Sequence, residues 1–233
     1  MSTGRALKAE VEAIFATKWK RRQGRVVPDV DAITLSNDSV TLDAAVLYAD
    51  LADSTGLVDG FKDWFAAEVY KAFLIAACRI IRVNGGEITA FDGDRVMAVF
   101  LGDKKNSRAA QSGLTINWAV QNIINPAIKV SYPDTGFQVK HSVGIDTSTL
   151  LVAKTGIRAS NDLVWVGRAA NYAAKLSTLR EDGYPTFISE AVFKKLSDGA
   201  KYGGEPRRPM WERRTWSQLG MVVYRSSWYW EMP

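Results

Sequence analysis

Ala44-Ala45-Val46-Leu47-Tyr48-Ala49-Asp50-Leu51-Ala52-Asp53-Ser54-Thr55-Gly56 is the stretch whose reading decides the fold. An apolar run of strand length ends on a carboxylate, Asp50, and runs straight into residues suited to opening a helix. A carboxylate closing a buried strand loses hydration that a cation or hydrogen-bond donors must replace. Further along, Gly85-Gly86-Glu87-Ile88-Thr89-Ala90-Phe91-Asp92-Gly93-Asp94-Arg95-Val96-Met97-Ala98-Val99-Phe100 reads as a hairpin turning on Asp92-Gly93-Asp94. Asp50 and Asp94 on adjacent strands point to a pair of divalent ions acting on phosphates. Asp94 also reads as a plain turn carboxylate, and Asp92 fits the ligand role as well.

Working outward, residues 5–20 form a short amphipathic helix with Leu7, Val11, Ile14 and Phe15 on its apolar face. The basic stretch 18–25 that follows reads as a solvated arm, because no ladder of aromatic rings for stacking bases accompanies its charge. Beyond the strand at 43–50, one long helix is expected over about 56–83, with Phe61, Phe65, Val69, Phe73, Ala77 and Ile80 about a turn apart. Asn84-Gly85-Gly86 stops it. Hairpin strands at 87–91 and 95–101 precede a helix near 106–125, ended by Pro126. Strands at 137–145 and 149–153 are expected to turn around Asp146-Thr147-Ser148. A strand at 162–166 then meets Gly167 and a helix at 168–180. A strand (185–188), a helix (189–197) and a Trp-rich tail hairpin (209–215 and 220–230) complete the chain. This order suits an α+β fold, a mostly antiparallel sheet with helices packed on it. The tail rings read as core or dimer contacts rather than a base-stacking platform.

The 233 residues, 47% hydrophobic and 24% charged, are those of an ordinary globular chain able to bury a core. No apolar run reaches the length of a membrane span, and the N-terminus lacks a signal-peptide pattern. A single cysteine, Cys78, excludes an internal disulfide and fits a reducing cytoplasm. The net charge of +5 favours polyanionic ligands, nucleotides or nucleic acid, without choosing between them. His141, the one histidine, reads as structural rather than as a general base.

Three blocks, in order, resemble the class III nucleotidyl cyclases over roughly residues 40–226. Leu47-Tyr48-Ala49-Asp50-Leu51 is similar to that family's first metal-binding strand, and Gly93-Asp94 with Val96-Met97-Ala98-Val99-Phe100 to its second. Val164-Trp165-Val166-Gly167-Arg168-Ala169-Ala170-Asn171-Tyr172-Ala173-Ala174-Lys175-Leu176 resembles the strand and helix that carry the transition-state residues. The resemblance implies a ferredoxin-like cyclase domain over 41–233, including the C-terminal hairpin, preceded by an N-terminal helix and basic arm (1–40). It implies two Mn²⁺ or Mg²⁺ ions held by Asp50, Asp94 and the Leu51 carbonyl, with Asp53, Ser54 and Thr55 near the β- and γ-phosphates. Asp53-Ser54-Thr55 also reads as a plain helix N-cap. Asn171 would position the ribose and Lys175 the α-phosphate charge; Lys175 replaces an arginine and lacks its bidentate fork. Arg213 and Arg214 are the nearest candidates for a tail cation on the terminal phosphates.

The base-reading positions of purine cyclases hold Ala90 and Val164 here, and neither can hydrogen-bond a purine edge. That departure resembles the pyrimidine cyclases of bacterial Pycsar antiphage systems. It implies a pyrimidine triphosphate as substrate and cyclic UMP or cyclic CMP as product, UTP being favoured, with Tyr48 narrowing the pocket and Asp92 and Arg95 as further base contacts. An adenylate or guanylate cyclase with an atypical base pocket, or a silent nucleotide-binding regulator, stays open beside it. The resemblance also implies a head-to-tail homodimer with sites at the interface, and makes nucleic acid an improbable partner.

Overall fold

The computed structural model describes residues 3–157 and 159–232. In chain order the helices are α1 (Thr3–Ala16), α2 (Ser54–Gly60), α3 (Asp63–Val83), α4 (Lys105–Ala119), α5 (Asn125–Ser131), α6 (Arg168–Leu176), α7 (Glu190–Lys194) and α8 (Asp198–Lys201). The strands are β1 (Lys20–Gln23), β2 (Asp38–Leu51), β3 (Glu87–Asp92), β4 (Arg95–Phe100), β5 (His141–Ile157), β6 (Ser160–Val166), β7 (Thr186–Ser189), β8 (Tyr202–Gly203), β9 (Arg208–Pro209), β10 (Glu212–Trp216) and β11 (Met221–Ser226). The main sheet runs β10-β11-β7-β5-β2-β4-β3, with β1 added to β2 and β6 to β5; β8 and β9 pair separately. Its ladders are antiparallel except β1 with β2 and β5 with β7. The α+β class and mostly antiparallel sheet are as expected.

Alternation along β2 divides the molecule. Ala45, Leu47, Ala49 and Leu51 face one side and pack with Phe65, Val69, Phe73, Ala77, Ile80 and Leu114 of α3 and α4. Ala44 and Val46 face the other, against Met97, Val99, Leu150 and the small residues Ala169, Ala170 and Ala173 of α6. Burying Phe73 alone contributes about 2–3 kcal/mol. Gly144 of β5 lies directly under α6, and a Cβ there would strike the backbone at Ala173 and Ser177. The absence of a side chain at 144 therefore fixes how closely α6 lies on the sheet.

Several expected elements differ. The helix over 56–83 is two helices, because Phe61 leaves helical geometry (φ −131°, ψ 170°). Its ring instead packs 5.2 Å from Phe65 and 5.1 Å from Phe137. Pro126 does not end the helix at 106–125. A π-helical turn, Val120–Ile124, follows α4, and the proline sits in the first turn of α5, where its missing N–H is tolerated. No turn forms at Asp146-Thr147-Ser148; β5 is one 17-residue strand. The polar groups there are satisfied in place: Ser189 donates to Asp146, and Thr147 Oγ1 donates to the Ala44 carbonyl at 2.9 Å. The helix at 168–180 stops at Leu176, and the helix at 189–197 stops at Lys194, with a separate helix, α8, starting at Asp198.

The basic stretch is no free arm, because Lys20–Gln23 form β1, whose side chains are exposed but whose backbone pairs with Asp38–Thr41. Arg22 binds Asp38 at 2.6 Å. β2 itself starts at Asp38, ahead of the strand start expected at 43. The apolar face of α1 is uncovered, with Phe15 87% exposed. In the tail, Trp211 and Trp216 are buried, and Trp228 packs against the α3–α4 core.

Candidate active site

Tyr48 and Asp50 occupy the same face of β2 as α6, and Asp50 pairs across the sheet with Arg95 of β4 and Ser142 of β5. The β3–β4 turn, Gly93 at φ 61°, carries Asp94 beside that end of β2. Burial pushes the Asp50 carboxyl above its usual range, and the charge of neighbouring Asp94 pushes it the same way, while Arg180 and Arg95 pull it back. Asp94 Oδ2 is buried with no hydrogen-bond partner. Asp92 stands apart, mostly exposed and bound to Arg95 at 2.6 Å. Of the two hairpin carboxylates, Asp94 is thus the one whose buried oxygen lacks a partner.

A buried orphan acceptor next to a second desolvated carboxylate is an arrangement that a cation would relieve. The residues therefore fit a divalent ion. No group of three or more His, Cys, Asp or Glu able to hold a metal occurs among the described residues. Further ligands would have to be carbonyls such as Leu51, water or substrate oxygens, the usual set for Mg²⁺. Leu51 is the last residue of β2, its side chain in the core.

The segment after β2 turns at Asp53, which adopts a left-handed conformation (φ 59°, ψ 39°) before α2. Asp53 occupies the N-cap position, but its side chain makes no capping bond. Its carboxylate lies over Gly56, where a Cβ would meet it at 2.7 Å. Ser54 and Thr55 open α2.

Around Tyr48, the Arg95 guanidinium lies 5.2 Å from the ring centroid. The phenol donates to Met97 Sδ at 3.0 Å, and burial raises its pKa, so it is neutral at pH 7. Ala90 packs in the same apolar cluster. Val164 does not join them: Tyr48 pairs with Gly144, whereas Val164 pairs with Ala153, nine residues or about 30 Å further along β5.

On α6, Ala169, Ala170 and Ala173 are buried, while Asn171 and Lys175 share the exposed side. Asp146, wholly buried, accepts from Arg168 at 3.1 Å and so ties the start of α6 to β5. Burial raises the Asp146 pKa, against the lowering effect of Ser189, Thr147 and Arg168. Arg213 and Arg214 lie on β10, four strands from β2 or about 19 Å, and Arg214 is bound to Glu212. The single chain does not bring them to Asp50.

Arg180 is the residue that sequence reasoning missed. It lies beyond α6 and donates to Asp50 Oδ2 at 2.8 Å, with its other nitrogen on the Ser177 and Leu179 carbonyls. No motif marks it. Its partner lies 130 residues earlier.

No protein-family model matches the chain. Its fold is that of the class III nucleotidyl cyclase domain: it superposes on the adenylyl cyclase CyaB from P. aeruginosa with TM-score 0.66 and 18% identity, covering 81% of this chain and 95% of that one. The guanylyl cyclase Cya2 gives 0.67 and 18%, over 82% and 94%. Sequence similarity is much higher to two curated proteins. A uridylate cyclase of Xanthomonas perforans is 50% identical over 94% of both chains, and one of Burkholderia cepacia is 49% identical over 96% of both. The chain belongs to the uridylate cyclase family.

Proposed function

We propose that this protein converts UTP to 3′,5′-cyclic UMP and pyrophosphate, using Asp50 and Asp94 to hold two divalent ions, Mn²⁺ or Mg²⁺. The observation that carries the reading is the partnerless buried oxygen of Asp94 beside Asp50, in a chain half identical to a named uridylate cyclase. When bound, such ions acidify the ribose 3′-hydroxyl and neutralise triphosphate charge. Asp50, Asp94 and the Leu51 carbonyl would hold them. The backbone N–H groups of 52–56, with Asp53, Ser54 and Thr55, would face the β- and γ-phosphates. Asn171 would orient the ribose for in-line attack on the α-phosphorus, and Lys175 would offset the charge that develops there as a point cation.

Tyr48 and Arg95 offer the uracil ring a stacking surface and a donor, with Asp92 holding the Arg95 guanidinium. Ala90 and Val164 leave a purine edge unpaired. Asn171 and Lys175 point outward and Val164 lies far from Tyr48, so each site takes these residues from a second copy in a head-to-tail homodimer. Arg213 and Arg214 reach the terminal phosphates only by that route. As in the systems it resembles, the product would serve as a signal in antiphage defence within the cytoplasm; among the described residues no helix is long and apolar enough to cross a membrane.

Incubation with Mn²⁺ and each of the four ribonucleoside triphosphates, with products identified by mass, tests the reading. Cyclic UMP should dominate, and Asp50→Ala should remove it with the fold retained. A dominant purine product refutes the base assignment, and wild-type rates in Asp50→Ala refute the metal assignment. A phage challenge of cells carrying wild type or Asp50→Ala tests the defence role.

A further inference from the structure

Arg180 is bound where the proposed metal site needs an open carboxylate. Its Nη2 takes Asp50 Oδ2 at 2.8 Å, while Nη1 rests on the Ser177 carbonyl at 2.7 Å and the Leu179 carbonyl at 3.1 Å. These carbonyls lie just past the C-terminal end of α6, where the helix dipole favours a cation. Asp50 is largely buried, with its side chain 14% exposed, and the guanidinium is its one ion-pair partner among the described residues. Two cations compete for a single oxygen.

We infer that Arg180 is a displaceable latch on Asp50, a positioning residue that sets how much divalent metal the site needs. The inference rests on the reading of Asp50 as a metal ligand. A doubly charged ion between Asp50 and Asp94 would repel the guanidinium and take its oxygen. Space to receive the displaced side chain is at hand. Arg180 already lines a cavity of about 630 Å³ whose wall includes Asp53, Glu181, Asp182 and Tyr184. Asp53 and Asp182 make no ion pair there among the described residues, so the cavity offers the guanidinium new acceptors. Because residue 180 follows α6, release would pass metal occupancy on to the end of the helix that carries Asn171 and Lys175.

Manganese binding without nucleotide tests this, read from the free Mn²⁺ signal by electron paramagnetic resonance on the full chain, with folding checked by circular dichroism. Removing the latch should tighten binding: Arg180→Gln lowers the Mn²⁺ dissociation constant about three- to fivefold, the scale of a partly exposed ion pair. Arg180→Lys, which keeps the charge without the fork, should fall between. Lys140→Gln removes a cation from the same cavity that makes no bond to Asp50, so it should change binding by less than about twofold. An Arg180→Gln dissociation constant equal to that of Lys140→Gln, or weaker than wild type, overturns the latch. Asp50→Asn separates the two readings. If it loses Mn²⁺ while Arg180→Gln fails to tighten it, the latch alone falls; if it binds as wild type does, the metal assignment falls with it.

Discussion

His141 makes the stability of this protein depend on pH in a way that can be calculated. Its ring is buried beside Phe73, with ring centroids 5.9 Å apart, and Nε2 has no partner. Burial, helped by the nearby Arg180 charge, lowers its pKa to about 3 from an ordinary value of 6.5. Above pH 6.5 neither the native nor the unfolded chain carries the proton, and the residue has no effect on pH dependence. Below it the unfolded chain protonates and the native one does not, so stability falls by about 1.4 kcal/mol per pH unit until about pH 3. Between pH 7.5 and 5.0 the loss is about 2 kcal/mol. Asp50 and Asp146, whose pKa values are raised, act with the opposite sign, so the contribution of His141 must be read as a double difference. Urea unfolding followed by tryptophan fluorescence suits a chain with eight tryptophans. Wild type should lose about 2 kcal/mol more than His141→Phe between the two pH values. Equal losses in the two proteins, within about 0.5 kcal/mol, would refute the buried neutral imidazole.

Three further outcomes are expected. Asp94→Asn should abolish cyclic nucleotide formation yet raise the melting temperature in EDTA by about 1–3 °C, because a like charge beside Asp50 disappears; a lower melting temperature contradicts the repulsion. Gly144→Ala should destabilise by more than about 3 kcal/mol or prevent folding, since the methyl group meets the α6 backbone; a soluble variant melting with wild type disproves the close approach. Asp146→Ala should leave the buried Ser189 hydroxyl and the Arg168 guanidinium without their acceptor and lose about 1–3 kcal/mol, which differential scanning calorimetry can check; an unchanged melting temperature refutes the tie.

Those features of the site that depend on local sequence were legible. A carboxylate closing an apolar strand shows in the chain itself, and so does the i, i+4 spacing of Asn171 and Lys175. What was not legible depends on distant partners. Asp146-Thr147-Ser148 looks like a turn until Ser189, 43 residues on, supplies a hydroxyl and Ala44 a carbonyl. Phe61 has the right spacing for the helix that became α3, but rings at 65 and 137 draw it out of helical geometry. Arg180 sits in an irregular segment with no pattern around it, and only the folded chain brings it to Asp50.

The placement of α6 bears on the proposed homodimer. The face of the sheet that carries Tyr48 and Asp50 is the face that α6 covers, and α6 meets it through alanines. Small residues bring the helix close but leave its polar side directed outward, away from the carboxylates on its own sheet. Val166 and Ile157 of the β5–β6 hairpin are likewise uncovered, at 54% and 71% exposure. A catalyst that needs Asn171 and Lys175 against the triphosphate cannot turn α6 over without losing the Ala169–Ala173 packing and the Arg168–Asp146 tie. In the proposed homodimer, a second copy laid on this face would cover the apolar hairpin and supply the polar side of its α6 in one step. On this geometry, dilution below the dimer dissociation constant should extinguish activity even though every side chain of the site is present in each chain.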